Sequence, residues 1–428
     1  MVTPDSKTLL KSLSEACPST RDGSPGDAVS GVTPAFVAYP ASVDEAAALL
    51  RTAALHGLTV VPRGGGSRLA WGTPVSRCDL LVDMTSYAGV IEHAAGDLVA
   101  RVRAGTPMGS VAAALAEAGQ EIALDVPADA TAGGVIASGL AGPRRLRYGS
   151  PRDLLIGVTI VRADGTVAHS GGKVVKNVAG YDLGKLFAGS AGTLGLIAEA
   201  TFRLHPLPPA RSFVTASYSS VPDASRAVAA AAGSPLTASA VELRRAAPGG
   251  PVQVGVLLEG SASGVASRAS DMASLLGSGA SGSASVSAGA PGWWPAGKRV
   301  PDGGTFIAVS FWVSALESVL ETIDAAARSH SVTPVVTGAA GAGVIHVGLG
   351  PSADASAVGA FTGALRASLA HSRGSVVVLT APAPVRAALE DSGGMTGPVP
   401  SLRLMKAVRD QFDPDGRMSP GRFFAEGA

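Results

Sequence analysis

Two glycine-rich runs carry the residue types most suited to chemistry. Residues 173–197, KVVKNVAGYDLGKLFAGSAGTLGLI, place Gly180, Gly184, Gly189, Gly192 and Gly195 between apolar stretches, with Lys173, Lys176, Tyr181 and Asp182 close by. Residues 63–68, RGGGSR, follow directly on an apolar segment that reads as a strand. Glycine at this density costs conformational entropy on folding, so the backbone either needs unusual torsions or must admit something at close range. A pyrophosphate is such a group, because it takes backbone N–H donors converging in a concavity without Cβ atoms in the way. Gly64, Gly65, Gly66 and Ser67, flanked by Arg63 and Arg68, could supply that, and so could residues 189–195. Neither run ends in Gly-Lys-Ser/Thr, which excludes the phosphate loop of mononucleotide kinases, and neither matches G-x-G-x-x-G well. Each run alone could be a tight turn in a β-rich domain. Two of them, together with the glycine-bearing loop at 127–149 and all before residue 206, favour a large phosphate-bearing ligand.

The elements that must position these runs alternate. A short strand at 36–40 precedes a helix opened by Ser42 with Glu45 three positions on, a capping box, and continuing to Leu55. Strands are predicted at 58–62, 79–83 and 98–103, and a helix from Thr106-Pro107 to Ala118. The segment from Pro127 to Leu155 reads as irregular, and irregular stretches of this length in compact domains are usually functional or disordered. Asp164-Gly165 marks a hairpin within 156–168, and a strand spans 194–204 before Pro206 and Pro208 set a boundary.

Beyond that boundary the order strand, helix, strand, strand, helix occurs twice, over 212–276 and 305–371, with a last strand at 375–380. This pattern predicts an antiparallel sheet covered by helices on one face. The Ser/Gly-rich residues 277–291 between the blocks read as a loose surface loop. A charged helix at 402–411 and the turn Asp413-Pro414-Asp415-Gly416 lead to Ser419-Pro420-Gly421-Arg422-Phe423. The fold class expected is α+β, in three parts: 1–208, a cap at 209–400, and a tail at 401–428 that returns to the first part.

Bulk composition narrows the function. A net charge of +1 with 16% charged residues gives no electrostatic case for a nucleic-acid or membrane-surface partner. Cys17 and Cys78 are too few for a zinc site, an iron–sulfur cluster or a disulfide framework. The N-terminal stretch lacks the apolar core of a signal peptide, and no window offers 18 consecutive apolar residues, so a cytoplasmic location is expected.

Three segments, VVPRGGGSRLAWG (60–72), PADATAGGVIASGL (127–140) and GYDLGKLFAGSAGTLGLIAEATFRLHPLP (180–208), resemble the FAD-binding domain of the vanillyl-alcohol oxidase, or PCMH-type, flavoproteins. Residues 142–187 are similar to the FAD-binding E subunits of bacterial glycolate oxidase (glycolate dehydrogenase), and FDPDGRMSPGRF (412–423) resembles that family's closing motif. The cap matches only loosely.

The resemblance implies a two-subdomain FAD-binding domain. In it Arg63, Gly64, Gly65, Gly66, Ser67 and Arg68 lie at the FAD pyrophosphate, Pro127, Gly133, Gly134 and Ser138 lie along the cofactor, and Gly189, Ser190, Gly192, Thr193 and Ile197 touch its ribityl–adenine part. Some relatives bond flavin covalently through a His after the glycine triplet. Ser67 stands there, so noncovalent FAD is expected. The resemblance further implies FAD-dependent oxidation of a CH–OH donor such as glycolate, a small 2-hydroxy acid. The partners it implies are a second FAD subunit and an iron–sulfur subunit, with peripheral membrane association open through those partners.

Relatives that oxidise 2-hydroxy acids carry a metal motif of the form G-H-x-G-D-G-N-x-H. The corresponding residues 338–346 read GAAGAGVIH, where only His346 remains, and the Glu-His-Gly segment is replaced by SGGMTGPVP at 392–400. One His does not hold a divalent ion, so no metal site is expected.

The catalytic candidates are therefore few. Arg144, Arg145 and Arg147 have the fork geometry to clamp a carboxylate, or else form a solvated basic loop or a subunit contact. His346 and His205 could equally be structural, Lys173 and Lys176 could face cofactor phosphates or a partner, and Trp293-Trp294 could pack a domain seam or stack on flavin. Three functions stay open: a flavin subunit of a glycolate-oxidising complex, a stand-alone FAD oxidoreductase on another alcohol or hydroxy acid, and a structural subunit that keeps the fold. Intact glycine runs argue against the last.

Overall fold

The computed structural model describes residues 5–173, 181–294, 303–372 and 374–423. Lys176 and Gly180 of the longer glycine run lie outside the described residues. The chain divides into two compact units, one built from residues 1–141, 150–207 and 400–428, the other from residues 142–149 and 208–399.

The first unit contains two sheets. Strands Thr20–Asp22, Phe36–Ala38, Leu80–Asp83 and Val60–Arg63 lie side by side in that order, the last three parallel. Helix Val43–Leu55 buries Ala46, Ala47, Leu49, Leu50 and Ala53, the stripe its 3.6-residue period dictates. Ser42 Oγ accepts the Glu45 N–H at 3.1 Å, but the Glu45 carboxylate reaches the Ala41 N–H at 2.9 Å, one residue before the N-cap. A helix that the sequence reading missed, Ser6–Ala16, is capped by Asp5 and buries Leu9 and Leu13 in the same core.

The second sheet of this unit is antiparallel, in the order Val90–Ala94, Val99–Arg103, Leu196–Arg203, Leu155–Val161 and Val167–Gly171. A bulge between Ile197 and Glu199 turns Ala198 into the first core, while Ile197, Ala200 and Phe202 face a second core shared with helices Met108–Ala116 and Ala132–Ser138. Glu199 is buried on the opposite face. It accepts from Tyr87 Oη (2.7 Å), Thr159 Oγ1 (3.1 Å) and Arg101 Nε (3.0 Å). Burial pushes this carboxyl up, but the bonds from Arg101 and Tyr87 outweigh it and hold it below its ordinary value.

The second unit is an eight-stranded antiparallel sheet in the order Ser285–Ser287, Ala210–Tyr218, Val252–Gly260, Ala240–Arg245, Val335–Gly338, Val344–Leu349, Thr305–Ser310 and Ser375–Thr380. Alternate residues such as Val214, Val254, Val256, Ile307 and Val347 point into one core with helices Val221–Gly233, Ala262–Gly277, Leu316–Ser329 and Ala355–Leu369. The two strand-helix-strand-strand-helix blocks meet where Leu243 pairs with Gly338. Three details differ from the sequence reading. Residues 277–291 are not all loop, because Ser285–Ser287 adds an edge strand. Trp294 packs edge-on to Phe213 (centroids 5.1 Å apart), and Trp293 lies over Gly255, on the sheet face away from the helices. Residues 142–149 belong to this unit although the sequence around them belongs to the first.

Among the described residues, no helix is long and apolar enough to cross a membrane. Cys17 and Cys78 are buried free thiols, and burial pushes Cys78 up to about 12.

One ion cluster underlies the parallel sheet. Arg21 grips Asp27 with two bonds of 2.8 Å, Ser24 Oγ donates to the same carboxylate, and Arg63 lies 3.8 Å away while bonding Asp83 at 2.7 Å. The bonds from Arg21 and then Ser24 hold the Asp27 carboxyl far below its usual range. A depressed folded-state pKa adds stability above the unfolded value, near pH 4, that is lost as pH falls further. Asp27→Asn should therefore flatten the decline of the urea midpoint below roughly pH 4, followed by circular dichroism. An unchanged acid limb in the variant would refute this.

Candidate cofactor site

The strand Val60–Arg63 is an edge of the parallel sheet, and the glycine loop leaves from its end. That edge is covered from far along the chain. Val60 N–H donates to Arg417 O and Ser419 N–H donates to Val60 O, both at 2.8 Å, so residues 417–419 complete the ladder. The tail is held in shape by Asp413, whose carboxylate accepts the Met418 N–H at 2.6 Å, and by Arg417, which donates to Ala163 O at 2.8 Å.

The loop is a row of unused donors. Among the described residues, none of the backbone N–H groups of residues 64–68 finds a protein acceptor, whereas Leu69 donates to Gly66 O and Trp71 to Arg68 O. Gly65, Gly66 and Ser67 are exposed, and Gly66 has φ +75°, the left-handed conformation that turns successive amides to one side. Gly64 and Gly65 are glycines for a different reason. A Cβ on Gly64 would lie 2.0 Å from Thr131 Oγ1, and one on Gly65 would lie 2.7 Å from Asp129 O. The room beside them is taken by the chain itself, which lets the loop press against the start of the helix Ala132–Ser138.

That helix lies inside a stretch expected to be irregular. Thr131 caps it by accepting the Gly134 N–H at 3.3 Å, and Gly139 ends it in the left-handed region. Its first amides are already used: Ala132 donates to Thr106 O (2.9 Å) and Gly133 to Ala104 O (2.8 Å). A Cβ on Gly133 would sit 2.8 Å from Ala104 Cβ, so Gly133 serves helix-to-strand packing. Ser138 Oγ donates back to Gly134 O at 2.7 Å, and Pro127 O accepts the Ala130 N–H at 3.1 Å.

The second glycine run meets the end of the same helix. Gly189 N–H donates to Ile136 O (2.9 Å) and Ala191 N–H to Ala137 O (2.8 Å). Gly189 has φ +82° and open space where a Cβ would be, whereas a Cβ on Gly192 would crowd Ser419 Oγ at 3.1 Å and Pro62 Cδ at 3.2 Å. Ser190 and Thr193 turn their hydroxyls inward, to Phe187 O (2.9 Å) and Ser190 O (2.7 Å), and the Ile197 side chain lies in the core. The three segments singled out from the sequence therefore converge in the first unit, with residues 64–68 holding the unused donors.

Charge at the loop is positive on balance. Arg63 is neutralised by Asp83 and Asp27. Arg68 stacks over Trp71, 4.3 Å from the ring centroid, and Arg422 donates to the carbonyls of Leu69 and Trp71. Among the described residues neither forms an ion pair with a carboxylate, although Asp129 favours the Arg68 charge, and burial lowers the pKa of both guanidinium groups. An anion at the free amides would relieve that cost. The donor set and the two cations fit a diphosphate.

The catalytic candidates Arg144, Arg145, Arg147 and His346 sit in the second unit and are engaged, while His205 and Lys173 lie in the first. Arg144 lies 3.6 Å from Glu259, a carboxylate that also accepts from Arg211 Nε (2.9 Å) and Tyr148 Oη (3.2 Å). Arg147 reaches Ser239 Oγ at 3.3 Å, and Arg145 belongs to the same short helix, Arg145–Tyr148. His346 stacks flat on Phe306, centroids 4.9 Å apart, in the strand after the turn Ala340–Ala342. His205 pairs with Glu121 in a two-stranded ladder, and Lys173 bonds Glu92 at 2.8 Å. Among the described residues, no group of three or more His, Cys, Asp or Glu is placed to hold a metal ion.

Residues 34–171 match the model of the FAD binding domain. The chain is 40% identical to glycolate oxidase subunit GlcE of Escherichia coli (strain K12) over 152 residues, which is 35% of this chain and 43% of that one. It is 34% identical to glycolate oxidase subunit GlcD of Bacillus subtilis (strain 168) over 201 residues, 46% of this chain and 42% of that one. It is 35% identical to D-2-hydroxyglutarate dehydrogenase of Xanthomonas citri pv. viticola over 178 residues, 41% and 38%. The chain thus spans less than half the length of these relatives. Among solved structures, p-cresol methylhydroxylase with substrate bound superposes with a TM-score of 0.76 at 14% identity, covering 97% of this chain and 96% of that one. Chitooligosaccharide oxidase gives 0.66 at 15%, covering 96% and 97%. At such identities these likenesses speak for the fold alone. Residues 34–171, about a third of the chain, thus match an FAD binding domain, and FAD is the cofactor such a domain holds.

Proposed function

We propose that this chain is an FAD-dependent oxidoreductase subunit serving the oxidation of a small 2-hydroxy acid, with glycolate to glyoxylate as the reaction. The observation that carries the reading is the row of amide donors at residues 64–68 beside two guanidinium groups that form no ion pair with a carboxylate among the described residues. Those amides would hold the FAD diphosphate and Arg68 would supply charge from its place on Trp71, while Gly189 leaves open space at its turn. When bound, FAD would supply two-electron acceptance from a CH–OH donor. Ser67 at the position after the glycine triplet supports a noncovalent attachment. The substrate class is supported by the names of the relatives, two glycolate oxidase subunits and a D-2-hydroxyglutarate dehydrogenase.

The engaged side chains bear on who performs the acid–base step. Arg144, Arg147 and His346 are each held by protein partners, and none is poised to take a hydroxyl proton. This favours a division of labour. A second flavoprotein subunit would carry the hydroxy-acid chemistry, this chain would carry electrons, and an iron–sulfur subunit would receive them. Two buried, separate thiols leave no cluster ligands among the cysteines of this chain. Contact with a membrane, if made, runs through the partners.

Purified protein should be yellow, and denaturation should release all of its flavin into the filtrate; flavin retained on the chain would overturn the noncovalent assignment. Gly65→Val and Gly192→Val should cut the ratio of visible to ultraviolet absorbance by about tenfold or more, because each side chain pushes apart segments whose contact shapes the site. Full flavin occupancy in both variants would refute the assignment. Anaerobic addition of glycolate should leave the flavin of the isolated chain oxidised, and bleach it when the co-purified partners are present. Bleaching by the isolated chain would instead establish a stand-alone enzyme.

A further inference from the structure

The glycine loop is gripped at both ends by the tail. At its start, Arg417 and Ser419 pair with Val60. At its far end, Arg422 donates through Nη1 to Trp71 O and through Nη2 to Leu69 O, and Ser76 N–H donates to Pro420 O at 2.9 Å. The fit is close: a Cβ on Gly421 would lie 2.8 Å from Ser76 N and 3.0 Å from Pro74 O. The free amides of residues 64–68 lie between these two grips. Leu69 and Trp71 carbonyls that bond a guanidinium on one side cannot turn toward the amide row. Trp71, so held, is the platform under Arg68.

Arg422 is 5% exposed and has no carboxylate partner among the described residues. A buried guanidinium spent on two loop carbonyls, more than 350 positions away in sequence, is costly as mere packing. We propose that Arg422 is a positioning residue for the cofactor. By fixing the carbonyls of Leu69 and Trp71 it sets the loop's amides and the Arg68 guanidinium in the arrangement that receives a diphosphate. The inference rests on residues 64–68 as the diphosphate cradle.

Apoprotein of the full chain can be titrated with FAD, with binding read from flavin fluorescence and loop order from amide hydrogen exchange. Gly66→Ala serves as the cradle control, because its φ of +75° resists any side chain. Arg422→Ala should weaken FAD binding by about tenfold or more and speed exchange over residues 69–76, with the melting temperature of the apoprotein shifted by only a few degrees. Arg422→Lys, with one ammonium for two carbonyls, should fall between the parent and Arg422→Ala. Should Gly66→Ala bind FAD like the parent, the cradle reading itself fails. If Gly66→Ala weakens binding and Arg422→Ala stays within about twofold of the parent, the positioning role alone is overturned. It is also overturned if both Arg422 variants unfold, or if their loss of affinity only tracks global unfolding.

Discussion

Five consecutive backbone amides without acceptors are the constraint around which the first unit is arranged. A folded chain pairs nearly all of its main-chain donors, and those left unpaired stay near water or wait for a ligand. Here they are kept together by what surrounds them. Thr131 and Asp129 press on Gly64 and Gly65 from one side, the parallel sheet ends beneath, and the tail closes the edge strand from which the loop departs. Preorganised donors of this kind gain their strength from not having to rearrange when charge arrives.

Electrostatics point the same way. The fold neutralises Arg21 and Arg63 with Asp27 and Asp83 below the loop, yet Arg68 and Arg422 beside it form no ion pair with a carboxylate among the described residues. Buried cations are normally paired, so the omission is selective. In the other unit the arrangement is reversed. Glu259, almost fully buried, is met by Arg144 and Arg211 together with the Tyr148 hydroxyl, so positive charge there is consumed in holding residues 142–149 onto the sheet.

Much of this architecture was legible in the sequence because local signals and tertiary packing agree. Ser42 with Glu45, Asp164-Gly165 with its flanking β-branched runs, and the doubled strand-helix-strand-strand-helix order each specify an element by short-range chemistry. The helix Ala132–Ser138 was not read, since two glycines depress its propensity; Thr131, a capping residue three positions before Gly134, was the available signal. The membership of residues 142–149 in the second unit depends on Glu259, a partner more than a hundred positions away, and no local pattern announces it. The sequence suggested that something approaches these glycines closely, and at Gly64, Gly65, Gly133 and Gly192 the approaching atoms belong to the protein. The segment 412–423 stood out in the sequence, but nothing local shows that Arg422 reaches Leu69 and Trp71.

The edge strand and the residues that cover it are separated by the whole of the second unit. During synthesis the nucleotide-accepting half therefore emerges from the ribosome with a bare edge, and it keeps that edge until the eight-stranded sheet has also been made. Any step that needs the strand sealed waits until residues 417–419 have been made. A chain that stalls midway would carry an unsealed strand, open to pairing with a neighbour and open to recognition by quality control.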